Sequence, residues 1–135
     1  MIEALLVKLK IEQAELGIHF VTAPEMTRLN ETFLKHQGST DVLAFDYADN
    51  AAARVKVRTG PATQLHGEIF VCVHEAVLQA RRFRTTRQAE LVRYIIHGVL
   101  HLCGFSDKHP VARRKMKRAE NELVRQMVRQ FPLKK

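Results

Sequence analysis

The chain has no tryptophan, and only two cysteines, two tyrosines and four prolines among 135 residues. Two thiols cannot build a disulfide framework, and Cys72 and Cys103 each lie in an apolar stretch, so both are expected to be buried and free. No apolar run approaches the roughly 18 to 20 residues that a membrane-spanning helix needs. The opening "MIEALLVKLKIEQAE" carries acids where a secretion signal would have its basic end, so a soluble, cytoplasmic protein with no membrane role is expected. Repeats and low-complexity blocks are also missing. With 46% hydrophobic residues the length suits one core, and residues 1–135 are read as a single domain.

Negative charge is scarce in the second part of the chain. Residues 1–50 hold four basic and eight acidic side chains, a net of −4, whereas residues 51–135 hold eighteen and six, a net of +12. Such asymmetry suits a polyanionic partner, and nucleic acid fits better than a membrane because no basic helix carries aromatic anchors. The segment "RRFR" (Arg81, Arg82, Arg84) and the last helix (Arg113, Arg114, Lys117) are the candidate phosphate contacts.

Hydrophobic spacing over residues 1 to about 15 predicts an amphipathic helix, and "GIHFVT" a short strand. Pro24 opens a second helix, "PEMTRLNETFLKH". The short runs in "GSTDVLAFDY" and "GEIFVCV" (residues 67–73) predict two central strands of one sheet. Between them "ADNAAARVKVRTGPATQLH", with Arg54, Lys56 and Arg58, reads as a loop or edge hairpin with a basic outer face. "HEAVLQARRF" predicts a third helix. A fourth, "TTRQAELVRYIIHGVLHLCG", has Thr85 and Gln88 at capping-box spacing and Gly104 as its stop. Pro110 opens the last. Helix, strand, helix, two strands and three helices describe an α+β fold: a small mixed sheet packed by about five helices.

Within "HGVLHLCGFSDKH" (97–109), His97 and His101 stand four residues apart on one helix face, the geometry for two imidazoles to share a metal ion. Gly98 costs the helix roughly 1 kcal/mol against alanine, which implies close packing beside the first histidine. Gly98 also occupies the position that holds the general-base glutamate of H-E-x-x-H peptidases, so that class is disfavoured. After Gly104 the chain turns, and a third ligand can come from the next few residues. Glu68 and Asp41, near the core strands, are candidates to orient water or a histidine's second nitrogen. His36 and His74 are read as surface or capping histidines, Cys103 as a core thiol, and Phe105 as a hydrophobic cap contact.

These residues carry a resemblance. "HGVLHLCGF" resembles the signature of the YbeY family of rRNA maturation endoribonucleases, H-G-x-L-H-L-x-G-Y/F followed by a third histidine. "LNETFLKHQGSTDVLAFDY" and "GEIFVC" are similar to the family's two upstream blocks, in the same order. The resemblance implies a mixed sheet packed by helices, one zinc ion on the histidine helix, and a role in small-subunit rRNA 3′-end maturation and in ribosome assembly or quality control. The implied partners are rRNA, the small ribosomal subunit, ribosomal proteins and the GTPase Era. A non-catalytic rRNA-binding assembly factor with a structural metal is the alternative. Counting along the family motif puts Asp107 at the third-ligand position, with His109 the alternative. An anionic ligand there implies a weaker Lewis acid than three neutral imidazoles. The family's arginine after the L-N-x-x-Y/F block is Leu34 here, so Arg28, Lys35 or the basic loop would have to supply that cation. The family's strand before the first helix is not evident, which leaves the sheet one strand short or its edge differently covered.

Overall fold

The structure, a computed structural model, describes residues 1–34, 41–47 and 64–131. Helix α1 (Ile2–Lys8) stops well before the expected residue 15. Lys10 takes a left-handed backbone (φ 59°), and the amides of Lys10 and Ile11 return to the carbonyls of Val7 and Leu6 at 3.0 and 2.9 Å. That pattern is a Schellman stop closed by lysine where glycine is commoner. Past it, "QAELGIHFV" alternates, with Ala14 and Leu16 packing against the core. These residues form β1 (Gln13–Val21), longer than the strand expected at "GIHFVT". Two-residue alternation outweighs helical spacing here because all nine residues of β1 pair in parallel with one neighbouring strand, from Gln13↔Gln64 to Val21↔Cys72.

Thr22 and Glu25 form a reciprocal capping box at the start of α2 (Ala23–Leu29), with Pro24 in the first turn. The helix runs on into a π-turn, Asn30–Leu34, where buried Asn30 donates to the carbonyl of Met26 at 3.1 Å. Lys35, His36 and the loop with Arg54, Lys56 and Arg58 lie outside the described residues. Strand β2 (Val42–Asp46) pairs antiparallel with β3 (Gln64–Cys72), and the sheet order is β1-β3-β2. Of the two strands expected at the centre, only β3 is central. β2 is an edge, and β1 supplies the other neighbour of β3, the parallel one.

One face of the sheet presents Leu65, Ile69 and Val71 to the core, where they meet α4 (Arg87–Leu102), flanked by α3 (Val73–Phe83) and α5 (Pro110–Gln130). Helix α4 buries Val92, Tyr94, Ile96, Val99, Leu100 and Leu102. Its N-cap is Thr86, whose hydroxyl accepts from Ala89 N at 3.0 Å, rather than the expected Thr85. Thr85 instead donates to Glu90 at 2.6 Å, which satisfies a buried carboxylate from outside the helix. Gly98 lets α4 settle on β3, since a Cβ there would lie 2.8 Å from Ile69 Cγ2. On the other face α2 covers one end of the sheet, with Met26, Val21, Leu43 and Cys72 in a small second core. The architecture is α+β, a three-stranded mixed sheet with five helices among the described residues. No described helix is long and apolar enough to cross a membrane.

Candidate metal centre

His97 and His101 lie on the last two turns of α4. The helix stops where Gly104 adopts φ 102°, with the amides of Gly104 and Phe105 returning to the carbonyls of His101 and Leu100, both at 3.0 Å. That Schellman turn is the one Gly104 announces in the sequence, and it sends the chain back over the histidine face. Asp107 Oδ2 arrives 3.6 Å from His101 Nε2 and 4.0 Å from His97 Nε2, while the two Nε2 atoms are 3.1 Å apart. Ligand atoms of two nitrogen donors on a tetrahedral zinc, at about 2.0 to 2.1 Å from the ion, lie roughly 3.3 Å from each other. Asp107, His97 and His101 each offer one ligand atom to a common point.

The second nitrogen of each ring indicates what the first one offers. His97 Nδ1 lies 2.6 Å from Glu120 Oε1, and His101 Nδ1 lies 3.2 Å from the carbonyl oxygen of Phe105. Both partners are pure acceptors, so both Nδ1 atoms carry the proton. The two Nε2 lone pairs then face each other with no proton between them, an arrangement that a shared cation relieves. Burial, and then the neighbouring His97, push the His101 pKa down against Asp107, Phe105 and Glu120, which favours the neutral ring that binds metal. The residues present therefore fit a metal ion.

Glu120, on α5, joins this centre to its cationic wall. Its carboxylate is buried, yet it accepts from Arg93 at 2.7 Å and Lys117 at 3.1 Å as well as from His97. Burial raises its pKa, but hydrogen bonds from His97, Arg93 and Lys117 outweigh that and hold it down at about 2. A carboxylate behind a ligating histidine fixes the tautomer and makes the other nitrogen more basic. His97, Asp107 and Glu120 line a cavity of about 510 Å³ with Arg93, Arg113, Lys117, Asp41, Tyr94 and Met116. Burial, followed by the charges of Asp41, Glu90 and Glu75, pushes the Tyr94 phenol far up, so it stays neutral.

Other expected site residues fall elsewhere. Glu68 does not face the histidines: Gly67 and Ile69 point at α4, so Glu68 points to the opposite side of the sheet. There it accepts from Tyr47 at 2.5 Å and lies 3.3 Å from His19 Nε2, and it has no part in the centre. Asp41, its fellow candidate, does line the cavity. His109 is the N-cap residue of α5 and lies outside the converging group. Arg28 lines a separate hollow with Glu25 and Phe70, so it supplies no cation to the cavity. Arg81 and Arg82, in the last turn of α3, and Arg84, its C-cap, are exposed at the α3–α4 corner, and the start of α4 at Arg87 lies roughly 20 Å along that helix from His101 at 1.5 Å per residue. Arg114 is exposed but not among the cavity residues, and His74 is exposed on the first turn of α3. Cys103 packs at the margin of the main core.

Glu120 and Arg93 were missed from the sequence, although Glu120 left a signal. It falls on the stripe of Met116, Leu123, Val124 and Met127, an acid where a core residue belongs. Arg93, one turn before His97 on α4, carried no comparable mark.

Comparison with known proteins gives one consistent neighbourhood. The family model described as Endoribonuclease YbeY matches residues 1–128. Among curated relatives, an Endoribonuclease YbeY of Bacteroides fragilis is 32% identical over 110 residues, covering 82% of this chain and 70% of the relative. One from Beutenbergia cavernae is 35% identical over 112 residues, covering 83% and 73%. A solution structure of a Thermotoga maritima protein superposes with a TM-score of 0.58 at 30% identity, over 96% of this chain and 81% of the other.

Proposed function

From the premise that the chain belongs to the YbeY endoribonuclease family, we propose that it is a metal-dependent endoribonuclease that hydrolyses single-stranded rRNA, one domain spanning residues 1–135. The observation that carries this reading is the convergence of His97 Nε2, His101 Nε2 and the Asp107 carboxylate beside a cavity bordered by Arg93, Arg113 and Lys117. Metal ligands next to cations suit metal-assisted phosphodiester hydrolysis, in which the ion activates water and the cations offset charge on the phosphate.

His97 and His101 donate through Nε2 and Asp107 through its carboxylate, and the ion assigned is a single zinc, because two imidazoles and one carboxylate suit it. Zinc held there supplies a Lewis acid for a phosphoryl oxygen and acidifies a water toward a pKa of ~7. The protein does the rest. Glu120 holds His97 in its Nδ1–H form, the Phe105 carbonyl does the same for His101, and the cations border the cavity that the RNA backbone enters. The substrate is the precursor of small-subunit rRNA at its 3′ end, with the small ribosomal subunit, ribosomal proteins and the GTPase Era as partners in the cytoplasm, acting in ribosome assembly or quality control. That finer assignment follows from the family resemblance of the sequence blocks at residues 29–47, 67–72 and 97–105.

Two measurements test the reading. Cleavage of single-stranded rRNA should survive repurification and disappear in His101→Ala; cleavage unchanged by that substitution would assign the activity to a contaminant and leave a non-catalytic rRNA-binding factor. Chelator competition at fixed pH should show metal affinity lost in His97→Ala and Asp107→Ala and kept in His109→Ala. Loss in the His109 variant alone would remove Asp107 from the ligand set.

A further inference from the structure

Among the described residues three cations border the cavity, Arg93, Arg113 and Lys117, but they are not equivalent. Arg93 and Lys117 both spend their charge on the Glu120 carboxylate, at 2.7 and 3.1 Å. Arg113 forms no ion pair among the described residues; its one side-chain hydrogen bond runs from Nε to the backbone oxygen of Asp107, at 3.1 Å. That bond leaves the two terminal nitrogens of the guanidinium, four N–H donors, without an acceptor among the described residues. It also ties the group to the turn that carries Asp107. Arg113, Met116, Lys117 and Glu120 recur at three- and four-residue spacing along α5, so Arg113 is on the stripe that borders the cavity.

We propose that Arg113 is the phosphate-contacting residue of this site: its terminal nitrogens hold the non-bridging oxygens of the phosphate that is cleaved, while Nε fixes it against the Asp107 turn. The inference rests on the endoribonuclease reading and adds to it the residue that neutralises the charge developing on the phosphate. A guanidinium suits that task because its planar fork meets two phosphate oxygens at once, which an ammonium cannot do. Held by Nε and unpaired with any carboxylate among the described residues, it has little rearrangement to make when the phosphate arrives.

The test uses the zinc-loaded full chain and Arg113→Gln, Arg113→Lys and Arg118→Gln, the last removing the same charge from an exposed position outside the cavity. Under single-turnover conditions with saturating single-stranded RNA, Arg113→Gln should cleave about 10²- to 10³-fold more slowly, the size of effect seen when one preorganised transition-state donor is removed. Arg113→Lys should recover part of that loss, and zinc content should match the parent in all three. In parallel, inorganic phosphate is titrated into each zinc-loaded protein. Its affinity should fall about tenfold or more in Arg113→Gln and stay level in Arg118→Gln. Loss of zinc from Arg113→Gln would overturn the proposal, because Arg113 would then serve only to hold the Asp107 turn. Parental cleavage together with parental phosphate binding in Arg113→Gln would overturn it too, with the endoribonuclease reading intact. If the parent itself fails to cleave RNA while phosphate binding still depends on Arg113, the activity is wrong and the phosphate contact stands.

Discussion

Glu120 decides how the centre responds to acid. Its pKa falls from the ordinary 4.5 to about 2 because the folded chain holds the charged carboxylate between His97, Arg93 and Lys117, against the cost of burying it. A depressed carboxylate pKa stabilises the folded state fully above the ordinary value, and that stabilisation drains away as pH falls from about 4.5 toward 2. The shift corresponds to ~3 kcal/mol, and because the side chain is 4% exposed little of it is lost to solvent screening. Urea unfolding of the chelator-treated chain, repeated from neutral pH down to about 2, should therefore show a fall in stability steeper by ~3 kcal/mol than in Glu120→Gln. Glu25 and Glu68, whose pKa values are also lowered, are common to both chains, so they cancel in the difference. Parallel curves would show that Glu120 is not ionised against its neighbours. At neutral pH the same variant keeps an oxygen for His97 Nδ1 but loses the charge, and its zinc affinity should drop by roughly 10- to 100-fold.

At the scale of elements the centre depends on how closely α4 lies on β3. Alanine at Gly98 would gain roughly 1 kcal/mol of helix propensity. Its Cβ would meet Ile69 Cγ2 at 2.8 Å and Ile69 Cδ1 at 3.1 Å, so overpacking costing roughly 1 to 3 kcal/mol outweighs the gain. Gly98→Ala should lower thermal stability, and Ile69→Ala in the same chain should cost less than it does alone; strict additivity would mean that the helix does not touch the strand there. Gly67→Ala should be worse than Gly98→Ala, because its Cβ would meet the backbone oxygen of Phe45, which cannot move without breaking the β2–β3 pairing. How much of this was legible follows from the kind of signal each part leaves. The α+β order, the histidine face and the Gly104 turn are local, written in spacing and in glycine, and all three stand in the structure. The end of α1 was not legible, since Leu9 and Ile11 continue a helical spacing that a left-handed Lys10 interrupts without announcing it. Nor was β2's position at the edge, or the side of the sheet that Glu68 faces, because pairing partners and register are settled between distant segments. Glu120 lay between these cases: its place on an apolar stripe was visible, its partner on another helix was not.

Taken whole, the molecule concentrates positive charge in its second part, but the fold does not leave all of it available to a polyanion. Residues 111–135 hold nine basic and two acidic side chains, and an inspection of the sequence alone would count Arg113, Arg114 and Lys117 as three equivalent phosphate contacts. Lys117 and Arg93 already share one buried carboxylate, whereas Arg113 and Arg114 enter no ion pair among the described residues. Each phosphate neutralised on a single strand steepens the dependence of log affinity on log salt by about 0.7. Replacing all three residues by glutamine should therefore flatten the slope by about 1.4, for two contacts, rather than about 2.1, for three. A change near the larger figure would mean that RNA pulls Lys117 away from Glu120, and no change would assign this surface to solubility. Arg81, Arg82 and Arg84 make a second exposed patch at the α3–α4 corner, beside the end of α4 that lies roughly 20 Å along the helix from His101, out of reach of a short oligonucleotide seated at the centre. Their replacement by glutamine should leave the salt slope of such an oligonucleotide unchanged and flatten that of a strand long enough to reach both ends of the helix. Equal flattening for both lengths would show that short RNA binds at the arginine patch instead of the metal centre, and would separate binding from cleavage on this surface.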